Sequence, residues 1–309
     1  GIPEELAALI MRMLAKTAAE RPVAREIAQL TDPLRPPYVS PQTVPMQSIP
    51  RSALPPAPAT PAVALVHRGT ASSTVLNYVY LDHPGFNGDA AAMLLITPCW
   101  NPGGQGGTYN SHHTGVWFAG NGRWSIYNED LAPMPQAAAF NVYCTRAGFV
   151  HRAATGNIVN NWTLIDHPQC NGHKDALLLV TANWNPGGQG GTDNNHALGV
   201  WYTEGRWSIF NQDRRPLPVG AAFNVLVAEQ AFCHRVTPSN LLGQNATWLD
   251  HPAATGKPNA VVPVTPNWNP GGVGGLYHDH PIGVYYYGNR WAIFNQDMAP
   301  MPPGASFNV

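Results

Sequence analysis

One phrase constrains this chain more than any other: Trp-Asn-Pro-Gly-Gly-x-Gly-Gly occurs three times at equal intervals, at residues 100–107, 184–191 and 268–275. A fixed frame surrounds it. Asp-His-Pro precedes it (Asp82, Asp166, Asp250), and Gly-Val-aromatic follows it (Gly115, Gly199, Gly283). An Arg-Trp pair (Trp124, Trp207, Trp291) and a closing Phe-Asn-Val (Phe140, Phe223, Phe307) complete the unit. One extra residue within 119–122 of the first copy is the only length change between these landmarks. A period of about 80 residues means three small units, each folded around its own core and able to bury surface against its neighbours. The copies can also be compared with each other, so the residues they share stand out.

Composition narrows the function classes. Charged residues make up 11 % of the chain and the net charge is −1, which supplies no electrostatic footprint for nucleic acid or an anionic membrane. The 30 glycines and 31 prolines suit short strands joined by many turns. No apolar run has the length of a membrane span and no leader opens the sequence, so a cytoplasmic location is expected. Cys99, Cys144, Cys170 and Cys233 occupy four different places in the repeat frame; a disulfide built into the unit would recur in every copy, so these read as reduced thiols.

Residues 1–32 read as two short helices. Pro3 suits a first helical position, and Leu6, Leu9, Ile10, Met13 and Leu14 share a face. The wording Pro3-Glu4-Glu5-Leu6, Met13-Leu14-Ala15-Lys16, Glu20-Arg21-Pro22 and Glu26-Ile27 resembles the C-terminal end of bacterial serine/threonine protein kinases. The Gly-rich phosphate loop, strand lysine, catalytic His-Arg-Asp and metal-binding Asp-Phe-Gly of that family do not occur in this sequence, so the resemblance implies no kinase activity here. Residues 33–62 carry ten prolines among small and polar residues and read as a semi-extended linker.

The three units are expected at 63–144, 148–227 and 231–309, each a small antiparallel β-sandwich or barrel, making the region all-β. In the second copy, 149–152, 161–165, 176–181, 199–202, 206–210 and 222–227 are strand-like. Gly288-Asn289 in the third copy predicts a two-residue hairpin turn. Both faces of the hairpin strands are apolar, as in strands packed on two sides.

Several shared residues suggest chemistry. Trp100, Asn101, Trp184, Asn185, Trp268 and Asn269, with Tyr109 and Tyr277 nearby, would suit a stacking platform for a sugar ring or another flat apolar face. Asp193 at the place of the two tyrosines counts against such a platform in the second copy. A rigid Pro-Gly-Gly loop with an indole packed beside it explains the same residues without a ligand. Asp82, His83 and His112, with Asp166, His167, His196 and Asp250, His251, His280, would offer one metal set per unit. Their spacing matches no compact ligand motif, and turn chemistry also explains the Asp-His-Pro histidine. The paired carboxylates Asp82/Asp130, Asp166/Asp213 and Asp250/Asp297 would suit a glycosidase only across a shared cleft, whereas the Asn-x-Asp setting of the second set points to Asx-turns.

The unit resembles an uncharacterised bacterial repeat domain marked by Trp-Asn-Pro-Gly-Gly, Gly-Val-Trp-Tyr, Trp-x-Ile-Phe-Asn-Gln-Asp and Met-Pro-x-Gly-Ala-x-Phe-Asn-Val. That resemblance implies a domain assignment and no activity. The leading expectation is a non-catalytic recognition module, attached to a kinase and needing no cofactor, that binds a glycan or protein. Three linked sites would gain avidity. A structural or self-assembling scaffold is the alternative, and a metal-dependent hydrolase the third.

Overall fold

The computed structural model of the protein describes residues 62–309. The helices and kinase-like wording of 1–32, and the linker 33–62 up to its last residue, lie outside the described residues.

Among the described residues each repeat supplies seven strands. The first has β1 (Val63–Arg68), β2 (Thr74–Val75), β3 (Tyr78–Tyr80), β4 (Met93–Pro98), β5 (Thr114–Phe118), β6 (Trp124–Asn128) and β7 (Ala139–Thr145). The second has β8 (Phe149–Arg152), β9 (Ile158–Val159), β10 (Trp162–Leu164), β11 (Leu178–Asn183), β12 (Leu198–Thr203), β13 (Arg206–Asn211) and β14 (Ala222–Val227). The third has β15 (Cys233–Arg235), β16 (Leu241–Leu242), β17 (Ala246–Trp248), β18 (Thr265–Pro266), β19 (Ile282–Tyr287), β20 (Arg290–Asn295) and β21 (Ser306–Asn308). In the first repeat β1-β7-β4 form one sheet and β2-β3-β6-β5 the other; the same order recurs in the second and third. Side chains of both sheets meet in one core per repeat, so each unit is a small antiparallel sandwich, as the alternating apolar runs predict. The hairpin of the third repeat turns on Gly288 (φ 53) and Asn289 (φ 65), two left-handed residues that match the twist of the flanking strands.

The shared residues explain the core. Trp124, Trp207 and Trp291 are fully buried, and each indole N–H donates to a loop carbonyl (Asp89, His173 and Lys257) at 2.9 Å. Gly199 of the Gly-Val-aromatic motif lies under an aromatic ring of the next strand, where a β-carbon would stand 2.7 Å from Phe210.

His151 and His234 sit on β8 and β15 inside the sandwich. Each Nε2 lies 2.9 Å from a threonine hydroxyl (Thr163, Thr247) whose proton goes to Asn157 or Asn240, so the imidazole is the donor. Burial pushes both histidines down to about 4. A folded-state pKa below the free value of 6.5 means the native form holds fewer protons between the two. The stability these residues contribute is therefore complete above pH 6.5 and is lost as pH falls towards 4. Urea unfolding is expected to lose about 3 kcal/mol per histidine over that window. His151→Gln with His234→Gln should flatten the loss.

The repeats close into a ring. At the end of each β4-type strand one residue pairs in parallel with the hairpin of the preceding repeat: Asn183 with Val116, Asn267 with Val200, and Cys99 with Val284, which joins the first repeat to the third. The Trp100, Trp184 and Trp268 amides donate to the Val284, Val116 and Val200 carbonyls at 2.8–2.9 Å. Around the centre, the hydroxyls of Thr97, Thr181 and Thr265 accept from the Val264, Ile96 and Val180 amides at 2.9–3.0 Å. These backbone and threonine contacts between first and second repeats thus recur between second and third and between third and first, which is pseudo-threefold closure rather than a row.

Candidate functional site

The Trp-Asn-Pro-Gly-Gly loop is a tight turn. Gly103 and Gly104 (φ 66 and 76) and their counterparts Gly187/Gly188 and Gly271/Gly272 are left-handed in succession, a conformation only glycine adopts without strain. The turn points the asparagine before it into the preceding repeat around the ring. Asn185 Nδ2 donates to the Phe118 carbonyl at 2.8 Å, and its Oδ1 accepts from the Phe118 amide at 2.7 Å. Asn269 does the same to Tyr202, and Asn101 to Tyr286, all at 2.7 Å. These amides are buried and committed at both ends. The ligand-contact role expected for Asn101, Asn185 and Asn269 is corrected accordingly: they clamp one repeat to the next.

The aromatic residues of the expected platform gather at the same three seams. Trp184 stands edge-on to Trp117 (6.4 Å, 87°), Trp268 to Trp201 (5.9 Å, 88°) and Trp100 to Tyr285 (6.2 Å, 81°). Each seam thus joins a loop of one repeat to the hairpin of another, which no unit alone could build. At two seams a tyrosine covers the indole. Tyr109 lies 5.8 Å from Trp100 and 5.9 Å from Phe294, and Tyr277 lies 6.0 Å from Trp268 and 5.7 Å from Phe210. The Arg214 guanidinium stacks over Tyr277 at 4.4 Å. Beneath those tyrosines the indole nitrogens of Trp100 and Trp268 are buried without an acceptor.

The third seam differs. Asp193 replaces the tyrosine, Leu131 takes the place of Arg214, and the hollow beside Trp184 grows to about 260 Å³ against about 120 Å³ beside Trp268. Glu129, where the other copies have Gln212 and Gln296, lies behind this seam and accepts from the Asn194 amide at 2.9 Å. Burial raises its carboxyl to about 8, with the nearby Asp193 charge adding to the shift. Leu131 escaped sequence reasoning, although it breaks the repeat and could have been found as a departure from it, whereas Glu129 stands in Tyr127-Asn128-Glu129, where the first copy visibly departs from the shared wording but no role could be read.

The candidate metal sets come apart. His83, His167 and His251 stack on Phe86, Phe149 and Phe232, and all three accept turn amides on Nδ1 (Gly85 at 3.0 Å, Gln169 at 3.4 Å, Ala253 at 3.2 Å). Asp82 and Asp166 accept from Asn87 and Asn171 at 2.7 Å and pair with Arg123 and Arg206. Asp250 precedes the same turn in the third repeat. His112, His196 and His280 instead meet around the pseudo-threefold axis. Each is bonded through Nδ1 to an aspartate (Asp130, Asp213, Asp297) at 2.7 Å, beside a hollow of about 100 Å³. Those aspartates also accept the Ala132, Arg215 and Ala299 amides at 2.9–3.0 Å, as Asx-turns do. Among the described residues no group of three such side chains is placed to hold a metal ion, and the expected set within one unit is divided between a turn and the axis.

No helix among the described residues is long and apolar enough to cross a membrane. No curated protein and no solved structure matches the chain. A family model matches it three times in succession, at residues 56–144, 121–227 and 217–309, in step with the three sandwiches. The chain belongs to the family described as Domain of unknown function (DUF7452), of which it carries three tandem copies.

Proposed function

We propose that the ring is a non-catalytic recognition module that takes its ligand, a glycan or protein group, into the aromatic seams between repeats. In this reading it serves the serine/threonine kinase whose C-terminal end residues 1–32 resemble. The observation behind it is the open hollow beside Trp184, walled by aromatic rings from two repeats and held in shape by the Asn185 clamp. Rings fixed by a rigid seam lose little entropy on binding, which favours affinity. Titrating the full chain with neutral oligosaccharides, peptides and small organic groups, read by tryptophan fluorescence and melting temperature, tests it. A saturable shift with one class supports the module, because a ligand of the native state must raise stability. No response to any class would favour the second reading.

That second reading is a structural scaffold. It is favoured by the buried asparagine clamps and the three core tryptophans, which account for much of the shared sequence by folding alone. Light scattering showing concentration-dependent assembly of the full chain would support it.

A further inference from the structure

We propose that the seam between the first and second repeats is an aromatic cage for a methylated ammonium group. This rests on the reading of the seams as recognition sites and names the chemistry of one of them. Its walls are Tyr78, Trp117, Tyr127 and Trp184, with Leu131 and Asp193 at the rim. Tyr78 and Trp117 stand at 85° and 5.5 Å, and Trp117 and Trp184 at 87° and 6.4 Å. Rings set at right angles make a corner. A sugar stacks best on a flat face, whereas a tetrahedral onium group touches several faces of a corner at once, each presenting the negative side of its quadrupole.

Charge agrees with shape. Asp193 is exposed at the rim and forms no ion pair among the described residues, while the cation that caps the neighbouring seam, Arg214, is replaced here by Leu131. The cage therefore offers one uncompensated carboxylate and an apolar interior. A primary ammonium such as lysine is strongly hydrated and would need several acceptors to leave water. A methylated one is weakly hydrated and needs only the rings and a nearby negative charge. The hollow of about 260 Å³ is several times the roughly 30 Å³ share of a water molecule, ample for a trimethylammonium head. At the Trp268 seam Tyr277 narrows the corresponding hollow to about 120 Å³, and at the Trp100 seam Tyr109 packs in the corresponding place between Trp100 and Phe294.

The test titrates the full chain with choline, tetramethylammonium and the uncharged isostere 3,3-dimethyl-1-butanol, with methyl glucoside as the neutral sugar, following tryptophan fluorescence at fixed ionic strength. Choline and tetramethylammonium should saturate in the millimolar range, and the uncharged isostere should bind about tenfold more weakly. Asp193→Asn should weaken choline about fivefold and leave the isostere unchanged. Asp193→Tyr, which restores the residue of the other seams, should abolish binding of both while keeping or raising the melting temperature. Equal binding of choline and its isostere, or no response to either cation, overturns the cage. A sugar response lost in Asp193→Tyr without a choline response would overturn the cage and leave the recognition reading standing. Silence towards every probe, with the oligosaccharide and peptide titrations also flat, would overturn both.

Discussion

Asn185→Ala is expected to lower the unfolding free energy by about 3–5 kcal/mol, among the largest effects of any single change in the ring. The substitution removes two hydrogen bonds and strands the Phe118 N–H and C=O, which the asparagine amide satisfies from the neighbouring repeat. A lost buried partner costs about 1–3 kcal/mol for each group left unsatisfied, well above the net worth of the bond itself. Asn185→Asp should be nearly as damaging. Its carboxylate can accept from the Phe118 amide, but its second oxygen would face the Phe118 carbonyl. Asn269→Ala and Asn101→Ala should match it, because the same pair of bonds is made to Tyr202 and Tyr286. Guanidinium unfolding of the three single variants measures this. A loss below about 1 kcal/mol at each position would show that the seams are held by packing and not by the clamps.

Glu129→Gln is expected to stabilise the protein by about 2–4 kcal/mol at pH 9 and to change little at pH 5. Burial raises the Glu129 carboxyl from 4.5 to about 8, so the folded chain holds a proton that the unfolded chain releases between those values. Stability linked to this group is complete below pH 4.5 and is lost as pH rises to about 8. Glutamine removes the titration and restores the residue found at Gln212 and Gln296, whose amides donate to the Leu198 and Ile282 carbonyls at 3.4 and 3.3 Å. Denaturation curves at the two pH values decide it. An equal effect at both would mean that the carboxyl does not titrate in this range. Together with the acid-labile histidines, this buried acid confines the stability maximum to mildly acidic or neutral pH.

Much of this was legible in the residues. The equal spacing of the Trp-Asn-Pro-Gly-Gly phrase marked the three units, and alternation with turn residues placed the strands. The expected segments 149–152 and 222–227 coincide with β8 and β14, and the other four lie within about two residues of their strands. Turn histidines and Asx-turn aspartates were also anticipated, because local hydrogen bonding acts over short stretches of chain.

The candidate site was only half legible. Trp100, Trp184 and Trp268 were rightly singled out as loop aromatics, but the partners that make each one part of a cleft belong to another repeat. Asp193 read as evidence against a site, since a stacking platform needs a ring there. In the folded ring the same aspartate leaves a wider hollow than the one Tyr277 lines beside Trp268. The asparagines looked available to a ligand because nothing in a linear sequence shows that their amides meet backbone 67 or 185 residues away.

By itself the sequence determined the unit: its length, its strands, its turns and its buried tryptophan, all set by local backbone preference and apolar periodicity. Only the tertiary structure decided the closure of the ring, the clamped seams, the gathering of His112, His196 and His280 at the axis, and the wider hollow beside Trp184. Those features depend on contacts between repeats, where identical phrases meet different neighbours. A single-residue departure such as Asp193 acquires its meaning only from the surface packed against it.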